Sequence, residues 1–265
     1  MNQIKIHLDN LCTCFSCETE PRDQCIFDSL DFRLNTGEIL CLVIDGAKPG
    51  NIKSSLPANG SPSSHKGEKF WFAKENSKGK HTQVASLQPS WAMSLLPWKT
   101  VADNMVFGLS ESELNKKEKY EAALDWLEKV GLLGCALRLP TQISPVQKLR
   151  IALAKVYLEN PSIILADNPL SGLSGIDWQV MLEEFLRIWQ HNPVPVVFVT
   201  SNLDEAIFLS DRIVILSSSD GLNCSPIDNP LSRDERNWLE IIHTEEYEEL
   251  YETLLCLNTS IKDGT

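Results

Sequence analysis

This sequence predicts an α/β protein with a β-rich N-terminal layer, a mostly parallel core sheet and a helical subdomain. Three observations carry that expectation. Continuous apolar runs, SIILAD at 162–167, PVPVVFVTS at 193–201 and DRIVILS at 211–217, alternate with amphipathic helical segments, and strands that are apolar throughout belong to parallel sheets covered on both faces. The first 45 residues read instead as a succession of short strands. Between Ser110 and Asn160 the apolar residues recur at three- and four-residue steps, the period of a helix.

Taken in order, IKIHL at 4–8 and CIFDSLDFRL at 25–34 are strands, and EILCLVI at 38–44 is another after the turn Asn35-Thr36-Gly37. The segment NIKSSLPANGSPSSHKGEKFWF at 51–72 is too rich in Gly, Pro and Ser for an element to be placed. The next helix carries Leu114, Ala123, Leu124, Leu127 and Val130 on one stripe. Another, from Val146 to Asn160, presents Leu149, Ala152, Leu153, Val156 and Tyr157 and stops at Asn160-Pro161. A third, from Asp177 to His191, sets Trp178, Met181, Leu182, Phe185, Leu186 and Trp189 on one face, with Ser174 to Asp177 as its capping box. NLDEAIFLS is a short helix capped by Asn202. Ligands of such sheets sit at the carboxyl ends of the strands, here Ile44, Asp167-Asn168 and Thr200-Ser201.

Composition narrows the function classes. With 24 basic against 36 acidic residues and a formal charge of -12, the chain repels nucleic acid and anionic lipid, and no nucleic-acid partner is expected. No apolar run reaches the roughly 20 residues that span a bilayer, so no direct membrane insertion is expected. The expected location is cytoplasmic, with any membrane contact made through a partner on the inner face. Cys12, Cys14, Cys17 and Cys25 cluster early, but their spacing is not that of a zinc ribbon and no ligand pattern with histidine accompanies them. Reduced thiols are the expectation, and no metal site is assigned.

The pieces GEILCLV at 37–43, LQP at 87–89, LLPWKTVADNMVFGL at 95–109, RIALAKVYLENPSIILAD at 150–167 and FVTSNLDEAIFLSDRIVILS at 198–217 together resemble the ATP-binding-cassette (ABC) ATPases. Within them they resemble the nitrate, sulfonate, taurine and bicarbonate importer subunits, and the tail from Ile227 to Leu255 is similar to that subfamily too. The resemblance implies a single P-loop NTPase-like domain. Its RecA-like core and β-subdomain would occupy approximately 1–90 and 161–218, the helical subdomain 91–160, and a tail with a helix 219–265. It implies ATP and magnesium as the candidate cofactors, and a membrane permease, an active ABC ATPase subunit or a second copy of the chain as partners.

The chemical parts depart from that family. Its phosphate loop reads GxxxxGK followed by Ser or Thr, so that backbone N–H groups wrap phosphates and Lys neutralises charge. Here IDGAKPGNIKSSLPANG at 44–60 places Lys53 as the lysine, followed by Ser54 and Ser55, with Gly50 as the middle glycine. Ala47 and Ile52 then replace glycines, and Pro57 falls where the phosphate-binding helix would run. The alternative register, pinned by Gly60 and Gly67, puts Gly50 or Asn51 in the place of Lys. By resemblance Asp167 would accept from magnesium-bound water, while Asn168 stands where a carboxylate activates the attacking water. An amide cannot take that proton, and such assistance is worth about a hundred- to ten-thousand-fold in rate. Ser201 stands where the family has histidine, and Ser174 where it has aspartate. The signature LSGGQ becomes Ile143, Ser144, Pro145, Val146 and Gln147, with no N–H at Pro145 and a branched side chain at Val146. Phe15 falls at the adenine-stacking position, and Gln88 at the glutamine that links magnesium to the helical subdomain. Leu95, Leu96, Pro97 and Trp98 border the permease-gripping groove.

The expectation is therefore a degenerate cassette subunit with a structural or regulatory role. A slow or conditional ATPase using Lys48 or Lys53, and a binding protein that reuses the fold for metal or a partner, are the two alternatives.

Overall fold

In the computed structural model of the protein, residues 3–14, 25–44, 53–54, 69–74, 84–88, 95–107, 109, 114–216, 225–233 and 236–260 are described. Phe15, Cys17, Gly50 and Ser55 lie outside the described residues.

The N-terminal layer is antiparallel. Strand β1 (Gln3–Cys14) pairs on one side with β2 (Cys25–Asn35), from Gln3 opposite Asn35 to Cys12 opposite Cys25, with a register shift at Leu11 and Cys12. On the other side β5 (Lys69–Lys74) runs from Lys74 opposite Ile4 to Lys69 opposite Asp9. The two-residue β4 (Lys53–Ser54) joins the far end, opposite Thr13 and Cys14. β1 thus extends well past the IKIHL expected from the sequence.

The chain turns out of β2 at Gly37, whose φ of 74° suits a residue without Cβ. Glu38 closes that turn, accepting from the backbone N–H of Asn35 at 2.8 Å and its side-chain amide at 2.7 Å. Arg212 in turn pairs with Glu38, tying the turn to the core sheet.

That core sheet has six strands in the order β10-β9-β3-β8-β7-β6. Strands β3 (Ile39–Ile44), β6 (Val84–Leu87), β7 (Ile163–Asp167), β8 (Val196–Thr200) and β9 (Arg212–Leu216) are mutually parallel, and β10 (Ile227–Asp228) is an antiparallel edge. Every residue of β3, β7 and β8 is buried, which is why these runs carry no polar alternation.

Between β6 and β7 the described residues hold three α-helices: α1 (Val101–Phe107), α2 (Lys116–Lys129) and α3 (Pro145–Leu158). Asn115 starts α2 with a capping box, its side chain accepting from Glu118 N–H at 3.0 Å while Glu118 accepts from Asn115 N–H at 2.8 Å. The buried stripe of α2 is Ala123, Trp126, Leu127 and Val130, with Trp126 stacked on Tyr157 of α3 at 5.0 Å. Leu114 and Leu124, expected in that stripe, are exposed. The indole claims the packed face and rotates Leu124 off it, about 100° from Ala123 on a 3.6-residue turn. Helix α3 ends at Asn160, left-handed at φ 51°, and Pro161 prevents continuation.

On the core sheet lie α4 (Gly175–His191) and α5 (Leu203–Leu209), followed by the tail helices α6 (Trp238–Ile241) and α7 (Glu245–Ser260). The expected face of α4 is buried, with Trp178 partly so, and Phe185 meets Phe198 of β8 edge to face at 5.4 Å. The capping box expected at Ser174 does not form. Ser174 is the N-cap residue but its hydroxyl makes no capping hydrogen bond, because the chain enters α4 by a left-handed step at Gly175, φ 57°. Asn202 does cap α5, accepting from Asp204 N–H at 2.9 Å. No helix among the described residues is long and apolar enough to cross a membrane.

Candidate functional site

The parallel register brings the strand ends expected to hold a ligand to one edge. Leu87 lies beside Ala166, Asp167 beside Val199, and Val43 beside Thr200. Gln88, Asp167, Asn168, Thr200 and Ser201 therefore leave the sheet together at its carboxyl edge. Lys53 and Ser54 do not join them through the core sheet: as β4 they belong to the antiparallel layer. No helix lies among the described residues between Ile44 and Val101.

Asp167 is 4% exposed, and burial pushes its carboxyl up to about 7. No described residue donates a hydrogen bond to it. Removing a carboxylate from water disfavours its charge, so a cation at this edge would restore the ionised form. Asn168 follows in the left-handed region at φ 42°, which asparagine tolerates better than most residues. Its backbone is fully engaged: the N–H donates to Val199 O at 2.8 Å and the carbonyl accepts from Ser171 N–H at 3.1 Å. Gln88 is half-buried and Ser201 exposed.

Thr200 is turned away from the edge into a buried network that the sequence did not reveal. Its hydroxyl donates to Glu205 Oε2 at 2.6 Å and accepts from Asn202 N–H at 3.0 Å. Glu205, on α5, takes a second hydrogen bond at 2.8 Å from the indole N–H of Trp178 on α4. Burial raises the Glu205 carboxyl while both hydrogen bonds oppose the rise. Burial, and then the charge of Glu205, also hold the thiol of Cys41 on β3 protonated. The available signal was the pair of acids Asp204 and Glu205 at the start of the otherwise apolar α5.

The residues Ser144, Pro145, Val146 and Gln147 open α3 and close on themselves. Ser144 Oγ accepts from Gln147 N–H at 3.2 Å, Gln147 Oε1 accepts from Ser144 N–H at 3.0 Å, and Pro145 occupies the first helical position. Two of the helix's end groups are thereby satisfied internally. Among the described residues, the Asp167 carboxyl and the Gln88 amide are the oxygen donors at this edge that could hold a magnesium ion.

Leu95, Leu96, Pro97 and Trp98 form a turn held by one buried side chain that sequence reading passed over. Asn104 Oδ1 accepts from Leu96 N–H at 2.7 Å, and its amide donates to the carbonyls of Leu96 and Lys99 at 3.1 Å and of Thr100 at 3.0 Å. Trp98 is then 72% exposed although Leu95 is buried. Backbone bonds from Val101 to Arg138 and from Ala102 to Ala136, both 2.9 Å, bring Leu137 alongside, 87% exposed. Lys99 lies over the exposed ring of Phe107.

Among the described residues no group of three or more His, Cys, Asp or Glu is arranged to hold a metal. Cys12 and Cys25 face each other in register across β1 and β2.

Residues 50–171 match the family model described as ABC transporter. Over 128 residues the chain is 38% identical to an uncharacterized ABC transporter ATP-binding protein of Methanocaldococcus jannaschii, covering 48% of each chain. Over 127 residues it is 35% identical to the taurine import ATP-binding protein TauB of Escherichia coli, covering 48% of this chain and 50% of that one. The matched stretch thus spans about half the length of these curated relatives. In three dimensions the likeness extends further. The cbiO1 structure of Clostridium perfringens, part of the ABC transporter complex cbiONQ, superposes with a TM-score of 0.65 over 97% of this chain and 98% of that one. At 15% identity that likeness concerns the fold, which is the P-loop NTPase-like fold of ABC ATPases.

Proposed function

On the premise that the chain carries an ABC transporter domain over residues 50–171, we propose that it is an importer subunit of the nitrate, sulfonate and taurine type. In this reading it holds a membrane permease in place without turning over ATP. The observation that supports the second half is the start of α3, where Pro145 has no N–H and the Ser144 hydroxyl serves its own helix. Asn168 adds to it, since an amide beside Asp167 can position water but cannot accept its proton. The turn at 95–98 supports the first half, presenting Trp98 from a rigid backbone beside Leu137. A permease helix would lay apolar side chains against these two residues, as helices dock in grooves elsewhere. The other half of an ATPase dimer, an active subunit or a second copy, would complete the assembly on the cytoplasmic face of the membrane.

The expected result is that the purified chain, alone or with the permease that co-purifies with it, shows no ATP hydrolysis that depends on Asp167. Hydrolysis abolished by Asp167→Ala would end the inactive reading and leave the subunit assignment standing. A slow ATPase is the second reading, favoured by the buried carboxyl of Asp167, which magnesium would ionise. It requires magnesium-dependent nucleotide binding that Lys53→Ala removes.

A further inference from the structure

We propose that the chain carries a binding site for a small organic ammonium ion between α5 and the tail helices, remote from the sheet edge. A cavity of about 390 Å³ lies there, lined by rings and carboxylates. Trp238, Tyr247 and Tyr251 provide the rings: Trp238 and Tyr247 meet edge to face at 6.3 Å, and Tyr247 lies nearly parallel to Tyr251 at 6.2 Å. Asp204, Glu248 and Glu252 provide the charge, and Ile242 completes the lining. The volume falls in the range of small-molecule sites, which combine an apolar lining with a few convergent polar groups.

The chemistry selects a cation. Three carboxylates share the cavity, and from Asn237 to Ser260 the chain has no Lys or Arg to neutralise them. Arg236, which immediately precedes that stretch, is turned elsewhere, donating to the carbonyls of Phe208 and Leu231 at 2.7 and 2.8 Å. Tyr247 donates its hydroxyl to Asp204 Oδ1 at 2.5 Å, and burial first, with that hydrogen bond second, keeps the phenol protonated. The rings are therefore fixed by the fold: Trp238 packs against Trp178 at 4.9 Å and Phe208 at 5.9 Å. Preformed aromatic walls with surrounding negative charge bind quaternary and alkyl ammonium groups, whose charge the ring quadrupoles attract and whose methyl groups they desolvate cheaply. A bare inorganic cation is a poorer fit, because the three carboxylates are not grouped closely enough to coordinate a metal ion.

The test uses the full chain with choline as the probe and 3,3-dimethylbutanol as its uncharged isostere, followed by tryptophan fluorescence and by the thermal midpoint. Choline is expected to bind saturably and raise the midpoint. Tyr251→Ala should weaken choline about tenfold, Tyr251→Phe should retain it, and Glu252→Gln should weaken it several-fold. Since Tyr251 and Glu252 are not fully buried, each variant's unliganded midpoint verifies folding. Equal binding of the uncharged isostere would overturn the proposal, as would unchanged choline affinity in Tyr251→Ala or no saturation in the intact chain. None of these outcomes depends on whether the sheet edge hydrolyses ATP.

Discussion

The carboxyl edge of the core sheet and the turn at 95–98 use buried polar groups in opposite senses. At the edge polar groups turn inward, and at the exposed start of α3 they close on one another. Thr200 serves Glu205, Ser144 serves Gln147, and the Asn168 backbone serves Val199 and Ser171. At the turn, Asn104 uses its whole amide to hold four backbone groups, which leaves the side chains of Pro97 and Trp98 outward. Polar groups satisfied internally have little left for a phosphate, whereas polar groups that fix a backbone leave a surface ready for a partner.

Three substitutions put this contrast at risk. The largest effect should come from Asn104→Ala, which strands the Leu96 N–H and the carbonyls around it. A loss of about 4 kcal/mol is expected from leaving several buried groups unsatisfied, read by denaturant unfolding, together with loss of permease co-purification. Retained co-purification would detach the turn from docking.

Asp167→Asn comes next and should stabilise. The Asp167 carboxyl sits at about 7 in the folded chain against 3.8 as its ordinary value. Between those values the folded state binds more protons than the unfolded one, so stability falls as pH rises through that window. The amide removes the slope and should add up to about 4 kcal/mol above pH 7 in the absence of magnesium. An unchanged pH profile would mean that this carboxyl ionises freely.

The smallest effect belongs to Ser144→Ala. It opens the capping box of α3 at a cost of about 1 kcal/mol, visible as a lowered midpoint with no change in whatever nucleotide binding the chain has. A specific loss of nucleotide affinity would instead show that the hydroxyl reaches phosphate.

Much of this was legible in the sequence because burial and period coincide. The runs at 163–167 and 196–200 are apolar at every position and became the buried β7 and β8, and the Asn202 cap and the Asn160 stop formed where their residue types demand. What escaped reading depends on side chains meeting across long separations. Leu124 obeys the period of α2, yet Trp126 found Tyr157 and set the rotation. Ser174 has the type and spacing of a cap, but the positive φ of Gly175 fixes another entry. Glu205 and Asn104 look like ordinary surface residues until the partners at Trp178, Thr200 and Leu96 are known. At the sheet edge, Asp167 and Asn168 follow β7 where the strand pattern put them, whereas Gln88 was assigned by resemblance, and Lys53 and Ser54 by motif spacing, which says nothing of β4 pairing with β1.

The position of β3 has a consequence in time. Its six residues, ILCLVI, are all buried, and among the described residues their strand partners in the core sheet are β8 and β9. Asp211, which accepts from Ile39 N–H at 2.7 Å to start that pairing, lies 172 residues further along the chain. At a synthesis rate of about 5 to 20 residues per second, the most apolar strand of the protein leaves the ribosome roughly 10 to 35 seconds before its neighbours exist. Through that interval the nascent chain displays an unpaired aggregation-prone segment, so a holding chaperone acting between the emergence of β3 and that of β9 should govern how much protein the cell recovers.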